Sequence, residues 1–445
     1  MISDDKLAKA RDLLDFIEAS PTPFHAVEEA ARRLRAADFR ELFEQDEWAL
    51  SAGTRAYVVR DGTLIAFWTG HSSPASAGFT ILGAHTDSPN LRLKPAAEMG
   101  SAGFRQLAVE IYGGVLLSTW LDRDLALAGR VITSDGQALL VRLRQAICRV
   151  PNLAIHLNRD VNSAGLQLNS QTHLAPVLGL ELGATSSGLL SLVTDQLSSS
   201  GHTLDAKDIA GFDLCLYDTQ PGTLGGQAHE FLFSPRLDNL ASCHAAIEAL
   251  IATEEAGART RVVALYDHEE VGSQSASGAR SLLLQSVLER IVLAYSDASA
   301  QAFARACARS LLVSADMAHA LHPNYADKHD KNHAVKLGGG AVIKSNANQS
   351  YATDAVGFAR FRVACQEVGF SPQFFASRND MPCGSTIGPI SAARLGIRAV
   401  DVGNPMLSMH SCREMAATTD VLPMIQVLTR LFLDEQIGLG RRAST

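Results

Sequence analysis

Four apolar runs in this chain end in, or lead within a few residues to, a side chain that can bind a metal or move a proton. Phe79, Thr80, Ile81, Leu82 and Gly83 run into Ala84, His85, Thr86 and Asp87, and Val262, Val263, Ala264, Leu265 and Tyr266 run into Asp267, His268, Glu269 and Glu270. Leu311, Leu312, Val313 and Ser314 run into Ala315 and Asp316, while residues 398–402 lead through Gly403, Asn404 and Pro405 to His410. Short unbroken apolar runs read as buried strands, and open α/β sheets gather their ligands at the carboxyl ends of such strands. The pattern therefore predicts one polar site built from four strand ends. Glu269 and Glu270 sharpen it, because adjacent carboxylates leaving a buried strand need a cation, a shared proton or open water. With a divalent metal, one glutamate supplies a ligand oxygen and its neighbour stays free to take a proton from bound water. A solvated acidic loop is the alternative for that tetrapeptide alone, and it does not account for the other three runs.

At 445 residues the chain exceeds one ordinary core, so two domains, or one domain with a large insertion, are expected. Hydrophobic residues at 47% and charged residues at 19% exclude disorder, and a mean hydropathy of +0.05 excludes a multi-span membrane protein. The opening ten residues contain Asp4 and Asp5 without a basic region and apolar core, so no signal peptide is read and a cytoplasmic location is expected. Seven scattered cysteines without a CxxC pair fit free, packed thiols in a reducing compartment. A net charge of −8 and a pI near 6.0, with no basic run interleaved with aromatics, argue against nucleic acid. Gly338, Gly339 and Gly340 lack the lysine and hydroxyl spacing of a phosphate loop and read as a turn. There is neither a GxSxG elbow nor a reactive-cysteine motif.

Along the chain, Leu7, Ala10, Leu13, Leu14 and Ile17 give residues 4–19 helical spacing, two prolines break it within 20–24, and 25–36 read as a second amphipathic helix. Residues 55–67 and 79–84 read as strands, with a turn at Asp61 and Gly62. Between about Pro95 and Phe233 the texture changes to short strand-like runs with Gly and Asn turns and little helical period. Examples are 107–112, 129–133, 139–144 and 212–217. After Phe233, Arg236, Leu237, Asp238 and Asn239 precede a helix over 240–253, and strand and helix alternation resumes. The fold class expected is α/β: a mixed-sheet domain formed by 1–95 and 234–445, interrupted by a mostly β insertion at 96–233.

Six blocks, GAHTDSPNLRLKP at 83–95, SPRLDN at 234–239, DHEEVGS at 267–273, SADMAHALHPNY at 314–325, NDMPCGSTIGP at 379–389 and MHSCREM at 409–415, resemble those of the M18 aspartyl aminopeptidases, in the same order and across nearly the whole chain. The resemblance implies a di-zinc peptidase domain, a β-rich dimerisation domain, and a large hollow homo-oligomer, commonly a tetrahedral dodecamer built from dimers. It also implies two zinc ions per subunit. His85 and Glu270 would be ligands on different sides of a metal pair bridged by Asp238, Asp316 and His410 would complete the two shells, and Glu269 would be the general base. Manganese or cobalt is accepted by the same imidazole and oxygen ligands. Asp87, two residues after His85, is read as a carboxylate orienting that imidazole, or as a turn residue before Ser88 and Pro89.

The resemblance makes peptides with an acidic N-terminal residue the substrates, although a chain of net charge −8 repels them at long range. The pocket must then be locally positive, and Lys344, at the end of the apolar run 341–343, matches the family's lysine for an acidic side chain. Tyr351 is either a second wall of that pocket or an ordinary core tyrosine. His156 matches a family histidine that reaches a neighbouring subunit's active site from the dimerisation domain and binds the oxyanion. Read without the family, it is a histidine on a strand. His268 should point away from the metals by alternation, and His319 and His322 read as packing residues or partners of the ligands. Two other functions fit the same residues: a di-zinc aminopeptidase or deacylase of neutral specificity, and an oligomeric scaffold with structural metals. Glu269 argues against the scaffold, because structural zinc normally closes with four protein ligands and needs no spare carboxylate.

Overall fold

The four apolar runs lie side by side and parallel in the computed structural model of the chain, which describes residues 2–181 and 188–435. Strand Thr260–Tyr266 pairs with Phe79–His85, that strand with Leu311–Ala315, and the last with Arg398–Gly403. Tyr266 stands opposite His85 and Ala315 opposite Val402, so the carboxyl ends of neighbouring strands are level. Among the described residues these strands form the centre of a nine-stranded mixed sheet. Thr63–Trp68, Arg55–Arg60 and Arg40–Glu41 extend one side; Val342–Lys344 and Gln373–Phe375 extend the other.

Every residue of the strands Phe79–His85, Thr260–Tyr266 and Leu311–Ala315 is buried, which is why they read as unbroken apolar runs rather than alternating ones. Successive side chains still go to opposite faces. Leu82, Ala84, Val263 and Leu265 join one core, with the helices Asp4–Ala19, Pro23–Ala36, Leu237–Ile251 and Val421–Leu433; Ile81, Val262, Ala264 and Leu312 join the other, with Leu283–Leu293 and Ala302–Ala308. Each fully buried Leu, Ile or Val contributes about 1.5–3 kcal/mol, so this two-sided burial is what makes the level strand ends a rigid platform.

The chain divides into two compact units. One comprises Met1–Asp87, Thr223–Met409 and Glu414–Thr445; the other comprises Ser88–Gly222 and His410–Arg413. The first boundary lies earlier than residue 95 because strand Asn90–Ser101 pairs with Phe104–Tyr112 and Ile209–Asp218. The second lies before residue 233 because the hairpin Thr223–Gly225 and Phe231–Ser234 adds to Glu414–Ala417, part of a small second sheet of the first unit. The second unit has a six-stranded sheet among its described residues, with a separate core that includes Leu91, Leu127 and Leu214. It also contains the helix Leu189–Ser199, which the reading of residues 96–233 as a mostly β insertion with little helical period did not single out. Among the described residues no helix is long and apolar enough to cross a membrane, and all seven cysteines are free.

Candidate metal centre

His85 is the last residue of its strand and is buried. Its Nδ1 lies 3.0 Å from the main-chain oxygen of Asp87, so in the neutral ring Nδ1–H donates to that carbonyl and Nε2 keeps its lone pair. Nε2 lies 3.5 Å from Oδ1 of Asp238 and 3.5 Å from Oδ1 of Asp316. A lone pair facing two carboxylate oxygens at that distance requires a proton or a cation among them. Ligand atoms of His85, Asp238 and Asp316 all fall within 4.8 Å of one another, as do those of His85, Glu269 and Glu270.

The carboxylates show the same demand in their effect on titration. Burial by itself would lower His85, but Asp238, Asp316 and Asp87 overcome it and hold the imidazole well above its ordinary value. Burial pushes Glu269 up to about 8; His85 opposes this, and Asp316, Glu270 and Asp87 add to it. One imidazole nitrogen and several buried carboxylate oxygens converging from different strands form a donor set that suits zinc, whose charge would reverse the sign of this field. A further cluster, Asp12, His244 and Glu248, does not need a metal. Arg33 reaches Asp12 at 3.0 Å and Glu248 at 3.0 Å, and Lys9 reaches Glu248 at 2.6 Å, so its charge is already balanced.

The main chain is shaped around these groups. Asp87 does more than orient the ring: its Oδ1 is 3.4 Å from His85 Nδ1, while its two oxygens accept the N–H groups of Glu269 and Glu270 at 3.0 Å each. One buried carboxylate thus fixes the segment that carries both glutamates. That segment is a single 3-10 turn, Glu269–Val271, entered through His268 at φ 64° and left through Gly272 at φ 92°. His268, in the left-handed conformation just beyond the strand, has Nδ1 2.9 Å from the Ser275 hydroxyl. Asp238 is held by its own N–H, which donates to Glu414 at 3.1 Å; its neighbour Asn239 donates to the Ala315 carbonyl at 2.8 Å, and the peptide between them is cis. Cys243 donates to the His85 carbonyl at 2.9 Å, and burial pushes its thiol up to about 12, so it is a structural donor and no ligand. Glu414, Asn239 and Cys243 were not singled out in the sequence, although Asn239 and Glu414 lie within two of the six blocks.

Lys344 ends its strand almost fully buried, with Nζ 3.1 Å from the Met317 carbonyl, 3.5 Å from Asp316 Oδ2 and 5.1 Å from the centre of the Tyr351 ring. Tyr351 packs edge-on against Phe375 and, with His319, His322, Arg378 and Met406, lines a cavity of roughly 300 Å³. His319 and His322 therefore border this cavity rather than packing in the core, because His319 ends the short strand Ala318–His319 with its side chain exposed. His410 and His156 belong to the second unit. His410, at φ 67°, has Nδ1 3.0 Å from the Gly114 carbonyl. His156 is on no strand; it lies in an exposed 3-10 turn, Ile155–Leu157, where Pro151 and the run of exposed residues around it leave no sheet partner within the described residues.

Residues 16–432 match the profile of the family described as aminopeptidase I zinc metalloprotease (M18). A probable M18 family aminopeptidase 2 of Pseudomonas aeruginosa is 47% identical over 429 residues, covering 96% of this chain and 98% of the relative. Among solved structures, Ape4 in its complex with Nbr1 is 41% identical with a TM-score of 0.92, covering 96% of this chain and 86% of that one. The mApe1 dodecamer of S. cerevisiae is 30% identical with a TM-score of 0.84, covering 96% and 97%.

Proposed function

Since the chain belongs to the M18 family of zinc metalloproteases, we propose that it is an aminopeptidase that removes N-terminal Asp or Glu from peptides with a two-zinc centre and Glu269 as general base. The observation that carries the reading is the lone pair of His85 Nε2 set between Asp238 and Asp316 at 3.5 Å each, with Glu269 beside it.

His85, Asp238, Glu270, Asp316 and His410 would hold the metals. When bound, the pair supplies Lewis acidity toward the scissile carbonyl and lowers the pKa of the attacking water. Glu269 takes the proton of that water and returns it to the leaving amine, and Asp87 keeps its turn in the position from which both transfers reach. Lys344 supplies the positive charge for an acidic first side chain and Tyr351 one wall for it. His156 donates to the developing oxyanion in a neighbouring subunit, within a dodecamer of the kind known for S. cerevisiae mApe1.

A neutral specificity is the second reading, and one observation favours it: Lys344 is already engaged by Asp316 and the Met317 carbonyl. Lys344→Met separates the two. With an acidic specificity, kcat/KM for an N-terminal Asp amide falls by about 10²-fold or more while that for a Leu amide changes little, because a buried charge pair is lost. Equal effects on both amides would leave Lys344 without a part in substrate choice.

A further inference from the structure

Asp401 is a buried carboxylate that the chemistry above does not use. It stands in strand Arg398–Gly403 directly opposite Lys344. It accepts the N–H of Ala352 at 2.5 Å and the hydroxyl of Thr386 at 2.6 Å. Room for it exists because residue 388 is glycine, where a Cβ would lie 2.5 Å from Asp401 Oδ2. Its own N–H donates to the Thr353 hydroxyl at 2.9 Å, and that hydroxyl donates to the Lys344 carbonyl at 2.6 Å. Thr386 in turn caps the helix Ile387–Leu395, accepting the Gly388 N–H at 3.2 Å. Two pieces of chain meet on this one side chain, the segment that follows Tyr351 and the capped start of a helix, while the Lys344 strand is joined to the main chain of Asp401 through Thr353.

Burying a carboxylate is costly unless its hydrogen bonds are made, and here they are made to the Ala352 N–H and the Thr386 hydroxyl. What they hold is the cavity wall. Tyr351 is the residue before Ala352, its ring faces both the Lys344 ammonium and Phe375, and it lines the 300 Å³ cavity. We propose that Asp401 is a positioning residue of the substrate pocket, whose carboxylate, by holding the Ala352 N–H, sets Tyr351, the residue before it, in the place from which it contacts the substrate's first side chain. This rests on the reading of Tyr351 as a residue that faces that side chain.

The test is steady-state hydrolysis of N-terminal Asp and Leu amides by the full-length wild type, Asp401→Ala, Asp401→Asn and Thr386→Val, with melting temperatures measured alongside. Asp401→Ala should raise KM for the preferred amide by about tenfold with kcat within about threefold, and Thr386→Val should raise KM by about threefold, as expected for losing two hydrogen bonds and one. Asp401→Asn should recover KM to within about twofold, since its oxygen can accept from Ala352 and its amide can donate to Thr386. A folded Asp401→Ala with wild-type KM, a kcat that falls as much as KM rises, or an Asn variant no better than Ala would overturn the proposal. If Asp401→Ala does not fold, a Thr386→Val enzyme with wild-type KM overturns it. A wild type that releases Leu in preference to Asp sinks only the acidic reading, and the same variants assayed on the Leu amide still decide the role of Asp401.

Discussion

In the proposed mechanism Glu269 has to be basic enough to take a proton and still sit beside Glu270 in a half-buried turn. Its environment meets both needs through other side chains: Asp87 fixes the turn by two main-chain hydrogen bonds, and His85, Asp316 and Glu270 act on the carboxyl. Glu269→Gln keeps the shape and removes the base, so kcat should fall by about 10² to 10⁴-fold while bound zinc, measured by elemental analysis, stays unchanged. Asp87→Asn should act differently. An amide can accept only one of the two N–H groups, so the Glu270 ligand is displaced with the turn, and zinc affinity by chelator competition should drop about 10 to 100-fold along with activity. Of the first unit's residues, His85, Asp238, Glu269, Glu270 and Asp316 were legible because each ends or follows an apolar run or lies in a block of family motifs. Glu414, although inside the block at 409–415, and Cys243 were not singled out, since they act on the main chain of residues more than a hundred positions away, and no local pattern marks such a contact.

The elements are held to the sheet by turns that have requirements of their own. At the start of the helix Val421–Leu433, Asp420 accepts the N–H groups of Gly338 and Gly340 at 2.9 Å each. Those glycines have φ of 76° and 79°, a region that a side chain would strain, so the triplet is a clamped turn, as its lack of a phosphate-loop pattern suggested. Burial pushes Asp420 up from 3.8 to about 6, with the Gly340 and Gly338 N–H groups opposing. The folded chain therefore binds this proton more tightly than the unfolded one, and the stability it contributes is present below about pH 4 and lost as pH rises through about 6. Between about pH 5 and about pH 7.5 the wild type should lose roughly 1–3 kcal/mol relative to Asp420→Asn in urea unfolding. A difference independent of pH would mean that Asp420 is ionised throughout. Legibility followed local chemistry here too. The helix Asp4–Ala19 was read with its observed ends, from its apolar spacing and the prolines after it. The helix Leu189–Ser199 was not, although Leu189, Val193 and Leu197 bury one face, because its serine-rich remainder resembles the turns around it.

At the scale of the whole molecule, the carboxylates gathered around His85 are a cost that bound metal removes, so metal and stability are linked. Chelation should lower the melting temperature, and zinc should restore it, by an amount that corresponds to about 4 kcal/mol when zinc exceeds its dissociation constant about a thousandfold. The exposed turn that carries His156, with Leu153, Ile155 and Leu157 exposed beside it, could not be placed by sequence pattern, because its apolar side chains face no core of the subunit's own. His156→Phe should leave the oligomer intact by light scattering and lose most turnover; normal turnover in an intact oligomer would remove His156 from the oxyanion site. The most direct measurement is release of N-terminal Asp, Glu, Leu and Ala from matched chromogenic amides by wild type and Glu269→Gln, before and after chelation with zinc added back. Release confined to Asp and Glu, abolished by chelation, restored by zinc and absent in Glu269→Gln is the result expected. Release of Leu or Ala would contradict the acidic specificity, and release that survives chelation or the Gln substitution would contradict the metal centre and its base.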